Sequence, residues 1–212
     1  MKLGKAKFGV VTLLVALSIY TVLKLLFDDV FSIETKFYPY REYQNIAIFF
    51  LFMLSMLLFR SFREHIRTYT NLHVLKAPGM YAWVALGFVL LYVAQYVSFT
   101  FGIFVDPVEV FHYQNNLYAL STSSFVIIAA TGIFVPVTEE VVFRSLLYHW
   151  LHSKLGFYAA LILQSLIFSL LHPNYPLLGM LMGVLMALLY TRYQSFLPPL
   201  ILHAAWNTWI MI

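Results

Sequence analysis

Residues 125–151 read FVIIAATGIFVPVTEEVVFRSLLYHWL, an apolar stretch that contains three formally charged side chains, Glu139, Glu140 and Arg144. Beyond Glu109 the chain carries five charged side chains in all, so three of them lie within this one stretch. Two neighbouring acids in hydrocarbon-like surroundings are costly unless something compensates or uses them. An ionisable residue inside a membrane segment therefore marks a candidate functional site.

The composition is that of an integral membrane protein. Of 212 residues, 62% are hydrophobic and 10% are charged, with a mean hydropathy of +0.82, whereas soluble domains carry about 25% charged residues. The net charge of +4 arises from positive residues at the ends of apolar runs, which indicates control of topology and not nucleic-acid binding. Cysteine is absent, which excludes disulfides, thiolate catalysis and cysteine metal sites.

The apolar runs predict an all-α fold, a polytopic transmembrane bundle of about seven helices. We expect helices over residues 8–27, 46–59, 80–105, 117–150, 155–172, 177–190 and 198–212. The fourth is too long for one untilted crossing, and Pro136 should kink or break it just before the two glutamates. Residues 1–110 then form N-terminal transmembrane helices, and residues 118–210 form the part that carries the polar motifs.

Positive residues indicate how the bundle sits in the membrane. They precede the first apolar run at Lys2, Lys5 and Lys7, and they follow the second at Arg60, Arg63 and Arg67. The positive-inside rule places both groups in the cytoplasm, so we expect a cytoplasmic N-terminus. No small-residue cleavage site follows the first run, which favours an uncleaved helix. The short chain with few loops suggests a multi-pass protein of the bacterial plasma membrane.

The two adjacent glutamates should have different roles. Neighbouring helical residues point about 100° apart, so Glu139 and Glu140 face different partners. Glu140 precedes Arg144 by four residues, the favourable order for an ion pair along a helix. That pairing leaves Glu139 available as a general base. The alternative is a buried ion pair that only fixes the positions of helices.

Two further polar motifs lie on later helices. One is Phe168-Ser-Leu-Leu-His172, and the other is His203-Ala-Ala-Trp-Asn207, whose two polar residues share one helix face. Each alone is explained equally well by hydrogen bonds that pack helices together. Counted from Lys154 as a cytoplasmic anchor, Glu139 and His172 lie about 22–27 Å deep at 1.5 Å per residue.

Counted from Arg192 in the same way, His203 and Asn207 lie about 16–22 Å deep. The polar groups of three separate helices therefore fall in one layer of the bundle. Scattered packing residues have no reason to coincide at one depth, so the layer predicts a single site.

The three motifs, in this order, resemble those of the CPBP intramembrane proteases. This family includes the CAAX prenyl endopeptidases and the bacteriocin-processing and self-immunity proteins, also called the Abi family. The resemblance covers roughly residues 118–210, and residues 1–106 add helices but no motif. Many family members have Gly where this chain has Ser145, a difference that concerns helix packing.

The resemblance implies hydrolysis of a peptide bond within the membrane. It implies that Glu139 and His172 activate a water molecule, and that His203 and Asn207 stabilise the oxyanion. Supporting roles fall to Glu140, Arg144 and Phe168. The implied substrate is a peptide or a membrane-anchored protein, in peptide maturation, bacteriocin self-immunity or CAAX-type processing. The competing hypothesis is a non-catalytic immunity or regulatory protein that binds a bacteriocin or a sensor kinase. A small transporter is a third, less favoured alternative, because the sequence contains no inverted repeat.

A metal is an open alternative at this stage. Glu139, His172 and His203 would suit Zn²⁺ with one open position. The chain has no His-Glu-x-x-His segment, so we favour a glutamate-dependent mechanism without a bound metal.

Two other patterns predict packing and surface position. Gly179 and Gly183 have the small-xxx-small spacing that lets two helices approach closely. His149 is expected at the membrane interface together with His152, and His65 is expected only to add positive character to the basic connector after residue 59.

Overall fold

The computed structural model describes residues 8–32, 43–114 and 125–210. Every regular element in these ranges is helical, which confirms the predicted all-α class. Lys2, Lys5 and Lys7, on which the cytoplasmic N-terminus was predicted, lie outside the described residues.

The first half of the chain contributes five helices and one 3₁₀ turn. They are α1 (Val10–Val30), α2 (Gln44–Leu57), α3 (Arg60–Tyr69), the 3₁₀ turn Leu72–Lys76, α4 (Pro78–Phe101) and α5 (Pro107–Gln114).

The second half begins with one continuous helical run over residues 125–155. It consists of α6 (Phe125–Ala129), a π-helical segment (Ala130–Phe134), α7 (Val135–Glu139), a second π-helical segment (Glu140–Tyr148) and α8 (His149–Leu155). It is followed by α9 (Phe157–Leu170), α10 (Pro176–Tyr193) and α11 (Leu197–Trp209). With this run counted once, the described ranges hold seven long helices plus the short α3 and α5, in agreement with the expected number.

Three of the described helices, α1, α4 and α10, are long and apolar enough to cross a bilayer. Helix α2 passes the same test only together with Arg60–Lys76, and that pair is bent by 110°. Helix α9 is apolar but shorter than a full crossing. The protein is thus a helical membrane protein that combines spanning helices with shorter ones.

Pro136 does not break the helix that carries the glutamates. It lies in the first turn of α7, directly after the π-helical segment Ala130–Phe134. Proline has no N–H to donate to the carbonyl four residues earlier, and the wider π turn before it already departs from that bonding pattern. The Thr138 hydroxyl adds a bond of 2.8 Å to the Phe134 carbonyl. The helix therefore continues to Glu139 with a change of helix type, so of the expected kink or break the break does not occur.

Helices α9 and α10 pack closely through the two glycines. A Cβ added at Gly183 would lie 2.8 Å from the backbone Cα of Ser165, and one added at Gly179 would lie 3.1 Å from the His172 Cβ. Contacts this short leave no space for a larger residue. The predicted close approach is confirmed, and it fixes the end of α9 where His172 lies.

The amphipathic helix α3 is docked into the bundle beside two buried histidines, His65 and His149, so the expectation that His65 only adds positive character to the connector was wrong. Both side chains are fully buried, and their rings lie 4.7 Å apart. His65 Nε2 donates to the Ser145 carbonyl at 2.7 Å, and His149 Nδ1 bonds the Tyr190 hydroxyl at 2.9 Å. The Phe196 N–H also donates to the backbone carbonyl at the end of α3. Which face of α3 is buried depends on these distant partners.

Candidate active site

A cavity of about 450 Å³ opens inside the bundle, and the four residues predicted to be catalytic all line it. They are Glu139, His172, His203 and Asn207. Glu139 ends α7, His172 follows the end of α9, and His203 and Asn207 lie one turn apart on α11. The structure therefore brings together side chains that the depth count placed in one layer.

Glu139 lines the cavity, and one of its carboxylate oxygens has no hydrogen-bond partner among the described residues. Its Oε2 atom is buried and lies 3.7 Å from His203 Nε2. That distance is too long for a direct hydrogen bond.

Glu140 is held by two buried positive or donor groups. Its Oε1 atom lies 3.2 Å from Arg144 Nη1 and accepts a hydrogen bond of 2.8 Å from His203 Nδ1. The side chains of Glu140 and Arg144 are both 0% exposed. The ion pair expected from the spacing of four residues is therefore present. It also fixes the His203 ring, because Nδ1 donates to Glu140 while Nε2 is directed toward Glu139.

Phe168 supports both the cation and the second histidine. The Arg144 guanidinium lies 4.3 Å from the centre of the Phe168 ring, a cation–π distance. The His172 ring lies 4.5 Å from the same ring, and His172 Nδ1 donates to the Phe168 carbonyl at 2.8 Å. This bond fixes the tautomer, so a neutral His172 carries its lone pair on Nε2.

Asn207 is oriented by the first π-helical segment. Its side-chain Nδ2 donates to the Thr131 carbonyl at 3.0 Å, which uses one of its two amide hydrogens. The helices are very close here, since a Cβ added at Gly132 would lie 2.7 Å from the Thr208 hydroxyl. Asn207 therefore keeps one N–H for a group inside the cavity.

Comparison with known proteins finds a family that this part of the chain resembles. Residues 121–209 match the family described as type II CAAX prenyl endopeptidase Rce1-like. This segment, called the CPBP segment below, is thus similar in sequence to the CPBP proteases. All four cavity residues named above lie within it.

A relative of Bacillus subtilis (strain 168), named "Putative membrane peptidase YdiL", is 32% identical over 87 residues. That similarity covers 40% of this chain and 36% of the relative, so the chain matches about a third of the relative's length. No solved structure matches the chain.

The side chains of the CPBP segment do not form a metal site in this arrangement. Glu139, His172 and His203 are chemically suitable zinc ligands. Among the described residues, however, no three His, Asp or Glu side chains are grouped closely enough to hold one ion. We therefore derive no step through a metal.

The sequence did not identify the remaining polar residues of the cavity, most of which precede the CPBP segment. These residues are Lys24, Asn45, Gln95, Glu109, Thr131, Asn174 and Tyr175. At one edge Asn174 Nδ2 donates to Glu109 at 2.9 Å, and the Asp106 N–H donates to the Asn174 carbonyl. Burial raises the pKa of the Tyr175 phenol, which keeps this group neutral and able to donate.

Of these residues, Lys24 had a signal in the sequence. It is the one charged residue of α1 before Asp28, and a lone charge within a spanning helix indicates a cavity or pathway.

Proposed function

We propose that the protein is an intramembrane endopeptidase that hydrolyses a peptide bond with a water molecule activated by Glu139 and His172. One observation carries the proposal: a general base, two imidazoles and a carboxamide from three separate helical runs line one cavity. The match to a CAAX endopeptidase family and to a relative named as a membrane peptidase supports it.

Glu139 is the general base of the proposed reaction. Its carboxylate, which lines the cavity, accepts a proton from the water, and the water oxygen attacks the carbonyl carbon of the scissile bond. His172 accepts a hydrogen bond at Nε2 from the O–H that the water keeps, because its Nδ1 donates to the Phe168 carbonyl. Glu139 then returns its proton to the amide nitrogen as the C–N bond breaks. One product gains a carboxyl group and the other gains an amine.

His203 and Asn207 stabilise the negative oxygen of the tetrahedral intermediate. Asn207 supplies the amide hydrogen that its bond to Thr131 leaves over. His203 supplies an Nε2–H when both ring nitrogens carry protons, since Nδ1 already donates to Glu140. Removing one hydrogen-bond donor that is positioned for the developing negative charge lowers kcat by about 10²–10³-fold.

Glu139→Gln tests the proposal. The substitution preserves size and removes the base, so cleavage should fall by about 10²-fold or more. Cleavage is measured by mass spectrometry of peptides from membranes that contain either protein. Glu64→Gln is the matched control, because Glu64 lies on α3, half exposed and paired with Arg60.

Wild-type cleavage by a correctly folded Glu139→Gln protein would overturn the proposed chemistry. If Glu139→Gln and His172→Ala variants both keep the biological phenotype, the protein acts as a non-catalytic membrane partner.

The setting of the reaction forms part of the same proposal. We place the protein in a bacterial plasma membrane with its N-terminus in the cytoplasm, because the exposed arginines of α3 follow the positive-inside rule. The substrate is then a peptide or a membrane-anchored protein, processed in peptide maturation, in self-immunity toward a bacteriocin or in CAAX-type cleavage. Labelling of single cysteines introduced in α3 and α5 tests the orientation.

A further inference from the structure

A single lysine enters the cavity from a helix outside the CPBP segment. Lys24 lies on α1, half-buried, in a helix that is otherwise uncharged from Val10 to Phe27. Charged side chains in spanning helices face the bundle interior or a water-filled cavity, where they mark substrate pathways. Among the described residues that line the cavity, Lys24 alone carries a permanent positive charge, whereas Glu109 and Glu139 are acidic.

The charge of Lys24 is not used inside the described part of the protein. The acid four residues further along α1 is Asp28, which accepts a hydrogen bond from Gln44. Lys24 itself makes no ion pair or side-chain hydrogen bond to any described residue. A half-buried ammonium without a counter-ion among the described residues is costly, and an anionic group on a bound ligand would stabilise it.

Two neutral amides line the cavity together with Lys24. Asn45 comes from α2 and Gln95 from α4, and the Oε1 atom of Gln95 is buried without a hydrogen-bond partner. An extended peptide carries N–H and C=O groups that must be satisfied in apolar surroundings. The amides can accept from and donate to such groups. The wall built by the first half of the chain thus has the chemistry of a peptide-binding surface.

We propose that Lys24 binds a carboxylate of the peptide substrate and so positions the scissile bond relative to that carboxylate. The carboxylate is either the C-terminus of the peptide or a nearby Asp or Glu side chain. This inference rests on the proposed peptidase function and adds its substrate class. An ammonium forms charge-assisted hydrogen bonds with a carboxylate, while Glu109 and Glu139 repel an anion from other parts of the cavity. The anion is therefore directed to one place.

The test uses short N-acetylated apolar peptides in proteoliposomes. Each peptide is made as the free acid and as the C-terminal amide, and again with Glu or Gln at one internal position. Wild type should cleave the acid member of a pair with about 10- to 100-fold higher kcat/KM, the value of one hydrogen bond to a charged group. Lys24→Gln should remove this preference by lowering kcat/KM for the acid member to the value for the amide member. Lys24→Arg should retain most of the preference, and Lys76→Gln, at an exposed lysine of the 3₁₀ turn, should retain all of it.

Binding to the Glu139→Gln protein separates this inference from the catalytic proposal. That variant should bind the acid peptide about 10- to 100-fold tighter than the amide, and the double variant with Lys24→Gln should bind both equally. This result supports the carboxylate site even if no peptide is cleaved, in which case the peptidase proposal fails alone. Equal binding or cleavage of acids and amides by proteins with Lys24 overturns the inference. The inference is also overturned if Lys24→Gln lowers cleavage of the acid peptide and of the amide peptide by the same factor, because Lys24 would then act on Glu139 and not on the substrate.

Discussion

Replacing Arg144 by Met should destabilise the folded protein strongly. The Arg144 and Glu140 side chains are both 0% exposed, and Arg144 Nη1 lies 3.2 Å from Glu140 Oε1. Removing one member of a buried pair leaves the other charge in an apolar interior. Met matches the length of the arginine stem and removes the charge, so the effect reports mainly on electrostatics.

The expected decrease in the free energy of unfolding follows from the groups that remain around Glu140. Breaking a buried ion pair costs about 3–5 kcal/mol. The bond from His203 to Glu140 survives, which places the expected value near the lower limit, about 3 kcal/mol. The melting temperature of a domain of this size falls by roughly 2–4 °C per kcal/mol. We therefore expect Arg144→Met to lower the Tm by about 6–12 °C.

Thermal unfolding of the protein in lipid nanodiscs, followed by tryptophan fluorescence, measures this shift. The double variant Glu140→Gln with Arg144→Met removes both charges and keeps an oxygen that accepts from His203 Nδ1. It should be more stable than Arg144→Met alone, because no unpaired charge stays buried. A Tm for Arg144→Met close to that of wild type, or a double variant less stable than the single one, would refute the assignment of a coupled buried pair.

Two further predictions concern packing and the oxyanion. Gly183→Ala should lower the free energy of unfolding by about 1–3 kcal/mol, because its Cβ would lie 2.8 Å from the Ser165 Cα. The control is Gly79→Ala, whose Cβ would have nothing within 4 Å, and it should unfold at or above the wild-type temperature. Equal melting temperatures for the two variants would contradict the packing at Gly183. Asn207→Leu should lower kcat about 10²–10³-fold with a much smaller change in KM, measured on any cleaved peptide. An effect confined to KM would show that Asn207 only binds substrate.

The parts of this structure that the sequence predicted depend on regular, local geometry. The pairing of Glu140 with Arg144 follows from the position of residues four apart on a helix. The meeting of Glu139, His172 and His203 in one cavity follows from the constant rise per residue and from the cytoplasmic anchors. The helical class follows from composition, because a membrane interior requires every backbone group to be bonded within its own segment.

The parts that were missed depend on which helices are neighbours. The burial of His65 and His149 requires α3 to fold back beside α8 and α10. The spacing of apolar and polar residues along α3 does not tell which helices it will contact. The π-helical segments on both sides of Glu139 likewise depend on tertiary packing. Lys24 had a local signal, but its place in the cavity depends on α1 lying against the helix that carries Glu139.

Aromatic contacts hold the first half of the chain against the CPBP segment. The Tyr20 ring of α1 lies 6.3 Å from Phe143, and the Phe49 ring of α2 lies 4.9 Å from Phe134. These contacts flank Glu139 on its helical run, so they fix the wall that carries Lys24 at a set position relative to the general base. The CPBP segment supplies the groups proposed for the hydrolytic step, while α1, α2 and α4 supply the polar groups proposed to choose the peptide. Substitutions on those three helices should therefore change which peptides are cleaved while the hydrolytic chemistry stays the same.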